Sequence, residues 1–170
     1  GATIANMAVM LNGQTLVNLN YSASEENLLA ALEQADLPCL ISSKRFIKKL
    51  QSKGVNFDRL LAAVPVYYLE DVREGISQWS MVSHLLCVKL LPRSVLKRLF
   101  CHVADASQTA AILFSSGSEG QPKGVMLSHR NIMANVKQCA DVLNLREDDV
   151  VMASLPQFHA FGLTVTQFMP

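Results

Sequence analysis

The residues best equipped for chemistry in this chain crowd into one stretch, Ser115-Ser-Gly-Ser-Glu-Gly-Gln-Pro-Lys-Gly124, with His159 further along. Ser115, Ser116 and Ser118 offer hydroxyl donors, Lys123 adds a mobile cation, and Gly117, Gly120 and Gly124 keep side-chain bulk low. Backbone N–H groups in such a loop can turn inward toward an anion. Together with hydroxyls and an ammonium they form the set needed to hold a polyphosphate.

Two familiar phosphate templates do not fit the stretch. A Walker loop needs G-x-x-x-x-G-K-[ST]. Counting from Gly117, its second glycine falls on Pro122 and its Ser/Thr on Gly124. The dinucleotide pattern G-x-G-x-x-G fails as well, because Gly117 and Gly120 do not supply its spacing. An ordinary glycine-rich hairpin between 110–114 and 124–127 explains the glycines and Pro122. It leaves three serines beside Lys123 unexplained.

The elements that must position this loop read as an alternation of helices and strands. Residues 2–11 place Ile4, Met7, Ala8 and Leu11 at helical spacing, and Asn12-Gly13 supplies a stop. Residues 14–21 read as a strand. Ser24-Glu-Glu opens a second helix, its acidic first turn suited to the macrodipole, with Leu28, Leu29 and Leu32 as buried stripe and Pro38 as its end. Strands are expected at 38–42 and 64–69, separated by a basic helix that Ser43 caps and Lys53-Gly54 closes. After Asp105 come a strand at 109–114, the loop, the apolar piece Val125-Met-Leu127 and a helix from Ser128 bearing Ile132, Val136 and Val142-Leu143. A strand at 150–154 and the loop Leu155-Pro-Gln-Phe-His-Ala-Phe-Gly162 follow, the loop entering a further helix. Strands joined by crossover helices imply an α/β fold with a mainly parallel sheet.

Residues 76–103 break this rhythm. No acid occurs between Glu74 and Asp105, whereas Lys89, Arg93, Lys97 and Arg98 are basic and the rest is richly apolar, from Trp79 to Phe100. Pro92 should divide the stretch into two helices. Two readings stand side by side: a helix pair packed on the sheet with solvated cations, or an interfacial segment meeting a membrane surface.

Composition narrows the classes. The chain has 170 residues, a net charge of +1 and 6% aromatics, which gives no case for nucleic acid as partner. Cys39, Cys87, Cys101 and Cys139 stand far apart, and the histidines do not group with them at metal spacing, so no structural metal is expected. No stretch of about 18 uninterrupted apolar residues is present to span a bilayer. The apolar pattern still running at Gln167-Phe-Met-Pro170 reads as a fragment of something longer.

The gapless run from Ile112 to Gly124 resembles the phosphate-binding signature of the adenylate-forming (AMP-binding) superfamily, which includes acyl-CoA synthetases, luciferases and peptide-synthetase adenylation domains. Ser128-His129 and Leu155-Pro-Gln-Phe-His-Ala-Phe-Gly162 are similar to the same family, as is the upstream segment 11–21. The resemblance implies that residues 1–170 are part of the N-terminal adenylation domain, with 76–103 a basic apolar helical insertion within it. It implies that Ser115, Ser116, Gly117, Ser118, Glu119, Gly120, Lys123 and Gly124 bind the phosphates of ATP. His159 would be the catalytic-site residue that gates or orients the acyl carboxylate, while His129 would serve in capping. The chemistry implied is attack of a carboxylate on the α-phosphate of Mg-ATP, then transfer of the acyl group to a thiol of coenzyme A or an acyl carrier protein.

Within the superfamily, Asn20-Tyr-Ser, Tyr67-Tyr-Leu-Glu-Asp71, the phosphate loop and 155–165 resemble bacterial acyl-ACP synthetases joined to 2-acylglycerophosphoethanolamine acyltransferases. That narrower likeness implies a fatty acid substrate, lysophospholipid reacylation and a cytoplasmic place, at the cytoplasmic face of the inner membrane. The family's adenine segment, magnesium-binding glutamate, ribose-binding acid and C-terminal lysine match nothing in this chain. The residues holding Mg2+ are therefore expected elsewhere, and the fragment alone is expected to be inactive. A non-catalytic nucleotide-binding module and a membrane-docking module remain as alternatives.

Overall fold

The computed structural model describes residues 1–116, 121–146 and 148–169, with Ser116 described by its backbone alone. In chain order the elements are α1 (Ala2–Leu11), β1 (Leu16–Val17), α2 (Glu25–Gln34), β2 (Leu40–Ser42), α3 (Lys44–Gln51), α4 (Asp58–Ala63), β3 (Val66–Tyr68), α5 (Leu69–Gly75), α6 (Gln78–Leu90) and α7 (Arg93–Phe100). Then come β4 (Thr109–Ser116), β5 (Pro122–Ser128), α8 (His129–Leu143), α9 (Ala160–Leu163) and a π-helical turn, Thr164–Phe168. Two compact units result: residues 1–13 with 36–103, and residues 14–35 with 104 onward.

In the first unit, α1 stops where Asn12-Gly13 predicts. Gly13 takes φ 72°, and the His102 amide donates to the Leu11 carbonyl at 2.7 Å. A Cβ on Gly13 would fall 2.3 Å from His102 Cδ2, so both the left-handed backbone and the space require glycine. The expected stripe of α1 is not buried: Ile4, Met7 and Leu11 are exposed and Asn6 is buried instead. β2 and β3 pair in parallel, Leu40 against Val66 through Ser42 against Tyr68. Helices α4 and α5 are additions to the sequence reading, each too short to show a clear period.

The N-terminus of α3 is doubly capped. The Ser43 hydroxyl accepts from the Phe46 amide at 3.4 Å and donates to Glu70 Oε1 at 2.7 Å, while Glu70 Oε2 accepts from the Lys44 amide at 3.0 Å. A carboxylate at a helix N-terminus faces unpaired N–H groups and the positive end of the dipole. The Ser43 hydroxyl first, then backbone amides including those of Lys44 and Arg45, hold the Glu70 carboxyl down at about 2 against an ordinary 4.5. Lys44 Nζ pairs with Asp71 beside it, which raises the lysine.

Pro92 divides 76–103 into two helices, as expected. Its missing N–H costs nothing at the cap position it occupies before α7. Neither helix buries a residue: Trp79 is 85% and Leu90 75% exposed. The apolar face is therefore not packed on a sheet, because no described element of that unit covers it.

The second unit carries the three-stranded sheet β1-β4-β5. β1 lies parallel to β4, Leu16 opposite Ala111, and β4 turns back antiparallel onto β5. β1 is much shorter than the strand expected at 14–21. Asn18 and Asn20 end it, since the Asn20 side chain accepts from the Ser22 amide at 3.0 Å and closes an Asx turn. In α2, capped by Ser24, Leu28 and Ala31 form the buried pair, with Leu29 and Leu32 half-buried. That helix ends at Gln34, before Pro38, where Asp36 turns left-handed at φ 47°.

Ser128 and Asn131 form a capping box on α8, each side chain accepting from the other residue's amide, at 3.2 and 3.0 Å. The cap is thus Ser128 rather than His129, whose amide donates to the Gln108 carbonyl at 3.2 Å. Ile132 is buried while Val142 and Leu143 are exposed. The strand expected at 150–154 does not form. Val150 is 96% exposed, and no described strand offers that segment a ladder. The core of the unit gathers Leu16, Leu28, Ala110, Ala111, Leu113 and Leu163.

Candidate functional site

β4 and β5 present the loop as the tip of a hairpin. The register sets Ser115 opposite Lys123 and Ser116 opposite Pro122. Directly opposed residues of an antiparallel pair share a face of the sheet. Ser115 and Lys123 therefore emerge side by side at the mouth, both exposed, with Ser115 Oγ donating to the Lys123 carbonyl at 3.5 Å. One position along, Gly124 faces Phe114. A Cβ there would sit 3.1 Å from Phe114 Cε1 and 3.2 Å from Ile112 Cγ2, so its hydrogen leaves room for the ring to lie across β5. Gly124 thus has a packing role at the stem. Gly117, Ser118, Glu119 and Gly120 lie outside the described residues.

The hairpin expected between 110–114 and 124–127 is present in the pairing of β4 with β5. The stem is a hairpin, and its mouth is where the hydroxyl and the cation stand.

The second sequence-predicted site, His159, is exposed and caps α9 through its backbone. Its amide donates to the Pro156 carbonyl at 3.2 Å, and its carbonyl accepts from the Leu163 amide at 2.8 Å. The imidazole packs against Phe158, ring centroids 4.4 Å apart at 54°. Phe158 is 7% exposed and takes the Tyr21 ring edge-on at 5.1 Å and 90°. Asn18 Nδ2 donates to the Gln157 carbonyl at 3.2 Å. Gly162 closes the far end: a Cβ would come 2.1 Å from the Pro156 carbonyl oxygen, a contact only glycine avoids. Beyond it, Asn135 Nδ2 of α8 donates to Thr164 Oγ1 at 3.1 Å, fixing the π-helical turn.

Asn18 and Tyr21 are the residues that sequence reasoning left out of the site. The signal was present, because Asn20-Tyr-Ser stands among the family-like residues, but nothing in the chain's spacing ties 18–21 to 155–162. An open groove of about 400 Å³ beside the first turns of α8, lined by Ala106, His129, Arg130, Met133, Ala134 and Lys137, contains none of the predicted site residues. No group of three or more His, Cys, Asp or Glu side chains suited to a metal ion occurs among the described residues.

This fold and hairpin are those of a known class. The family model described as "AMP-binding enzyme" matches residues 2–170, and the chain belongs to that family. It is similar to 2-succinylbenzoate–CoA ligase of Bacillus cytotoxicus, 28% identical over 153 residues, which is 90% of this chain and 25% of that protein. Over 62 residues, 34% of this chain and 12% of the relative, it is 50% identical to 4-coumarate–CoA ligase 5 of Oryza sativa subsp. japonica. Among solved structures, o-succinylbenzoate CoA synthetase from Bacillus subtilis with the acyl-adenylate OSB-AMP superposes with a TM-score of 0.70 at 22% identity, over 97% of this chain and 36% of that one. The expected α/β class and N-terminal adenylation-domain fold are thereby found. The chain spans about a quarter of the length of the curated 2-succinylbenzoate–CoA ligase it matches.

Proposed function

We propose that this chain is part of an ATP-dependent acyl-activating ligase and supplies its phosphate-binding hairpin and its carboxylate loop. The observation that carries the reading is the β4–β5 register, which sets Ser115 against Lys123 at the mouth of a loop of the family's type. In the first step a carboxylate oxygen bonds to the α-phosphorus of ATP, and the bond to the bridging oxygen breaks, releasing pyrophosphate. In the second, a thiol sulfur takes the acyl carbon and AMP leaves. The first step brings an anion to a polyanion, so charge neutralisation and alignment supply most of the rate.

Ser115, Ser116, Ser118 and the amides of Gly117, Glu119 and Gly120 hold the outer phosphates in this reading, Lys123 offsets their charge, and Gly124 packs the stem that carries the loop. His159 orients the carboxylate and takes no proton from it, because a carboxylic acid is already ionised at neutral pH. The hydroxyl and ammonium at the mouth suit ATP. The resemblance puts the ligands of Mg2+ in parts of the enzyme outside this chain.

Residues 1–170 then form part of an N-terminal adenylation domain, with 76–103 as a basic apolar helical insertion. The narrower reading has a fatty acid as substrate, an acyl carrier protein or coenzyme A as acceptor, lysophospholipid reacylation as outcome and the cytoplasm as place. It rests on the resemblance of Asn20-Tyr-Ser, Tyr67-Tyr-Leu-Glu-Asp71 and 155–165. The relatives 2-succinylbenzoate–CoA ligase and 4-coumarate–CoA ligase 5 favour an aromatic acid over a fatty acid, and coenzyme A over a carrier protein. No described helix is long and apolar enough to cross a membrane. The exposed apolar, basic face of α6 and α7 supports a second reading, a membrane-docking surface within the same enzyme.

The test is carboxylate-dependent ATP–pyrophosphate exchange by the complete enzyme, with fatty acids beside aromatic acids. Lys123→Ala and Ser118→Ala are expected to lose most of the exchange. Full exchange in both variants overturns the assignment of the loop. Offering carrier protein or coenzyme A in a thioester assay then identifies the acceptor.

A further inference from the structure

We propose that Tyr21 is a positioning residue for His159, acting through the ring of Phe158. The inference rests on the reading of His159 as the group that orients the carboxylate, and it adds a residue that no motif of the loop contains. The chain leaving β1 meets the 155–162 loop at two points. Asn18 Nδ2 holds the Gln157 carbonyl at 3.2 Å, and the Tyr21 ring stands edge-on to Phe158 at 5.1 Å and 90°. Phe158, 7% exposed, passes that constraint to the imidazole 4.4 Å away.

The backbone of His159 is already fixed at both its amide and its carbonyl. What remains free is rotation of the exposed imidazole about its own side-chain bonds, and the Phe158 ring is its aromatic neighbour. Edge-to-face geometry limits the tilt of Phe158, so losing the Tyr21 ring loosens Phe158 and then His159. The same 18–21 segment continues from β1, whose ladder partner β4 delivers Ser115 to the hairpin mouth. One short segment thus braces the carboxylate loop from the strand next to the phosphate loop. Alignment in a reaction of this type is sensitive to displacements of about 1 Å, which makes such a brace consequential.

The experiment uses the complete enzyme in carboxylate-dependent ATP–pyrophosphate exchange, with Tyr21→Leu, Tyr21→Phe, His159→Ala and the Tyr21→Leu/His159→Ala double variant. Tyr21→Leu is expected to lower kcat/KM for the carboxylate roughly tenfold while KM for ATP stays within about twofold. Tyr21→Phe, which keeps the ring, restores the wild-type value. In the double variant the leucine adds no further loss, because its effect runs through His159. Should thermal melting show the leucine variant unfolded, Tyr21→Met keeps bulk without a ring and is held to the same expectations.

An equal loss from the Tyr21 substitution with and without His159 overturns the proposal, since Tyr21 then only supports the fold. So does an unchanged Tyr21→Leu enzyme beside an impaired His159→Ala one, which leaves the role of His159 standing. Full activity in His159→Ala removes that role itself, and the proposal with it.

Discussion

The stretch 158–168 and the helix pair α6–α7 are both rich in apolar residues, but the first lies in a core and the second does not. Phe158, Leu163 and Val165 are buried, and Thr164 among them is held by Asn135 of α8. Trp79 and Leu90 stay open, with the cations Lys89, Arg93 and Lys97 interspersed. Composition does not separate the two. Neighbours do: the loop and π-helical turn have α8 and the 18–21 segment against them within one unit, whereas no described element of its own unit covers the helix pair. A candidate site that must hold its geometry is built from the first kind of segment. A face free to meet something else is built from the second.

Substitutions can sharpen or break this contrast. Leu163→Ala, at a position 2% exposed, should lower unfolding stability by about 2–5 kcal/mol in urea titrations. Gly162→Ala should follow at about 1–3 kcal/mol, because the new methyl must displace the Pro156 carbonyl. Ser128→Ala removes the capping box of α8 and should cost about 1 kcal/mol. Leu90→Gln, on the open face, should change stability by less than about 0.5 kcal/mol. A loss at Leu90 matching that at Leu163 would show the helix pair to be part of the core after all.

The capping carboxylate of α3 has a pH signature. The Glu70 carboxyl sits at about 2 when folded and near 4.5 when not. Between those values the unfolded chain binds the extra proton, so acid favours unfolding. The stabilisation is complete above pH 4.5 and fades as pH falls toward 2. Glu70→Gln should flatten that part of the stability–pH curve, measured by urea midpoints across the window. An unchanged slope would mean that Glu70 does not cap α3.

Local signals were legible where one residue decides the outcome. Gly13 ends α1, Ser24 and Ser43 cap their helices, and Pro92 separates α6 from α7, each by backbone chemistry within a few residues, whereas the capping expected of His129 falls to Ser128 one residue earlier. The hairpin mouth was legible as a loop with a lysine, and the family's signature marked its residues. Whether Leu16 would pair with Ala111, or Ile4 and Val142 would find a cover, depends on partners far along the chain, and periodicity does not name them. The strand expected at 150–154 failed for that reason: its pattern was apolar, but a strand needs a ladder. Tyr21 and Asn18 were missed likewise, since only folding brings them to Gln157 and Phe158.

The central assignment gives two loops two substrates, polyphosphate at the Ser115–Lys123 mouth and carboxylate at His159. Steady-state exchange kinetics of the complete enzyme separate them most directly. Lys123→Ala should raise KM for ATP at least about tenfold with KM for the carboxylate little changed, as expected when a charge-assisted phosphate contact is lost. His159→Ala should do the reverse. Lys123→Ala and His159→Ala shifting the same constant, or neither, contradicts the division.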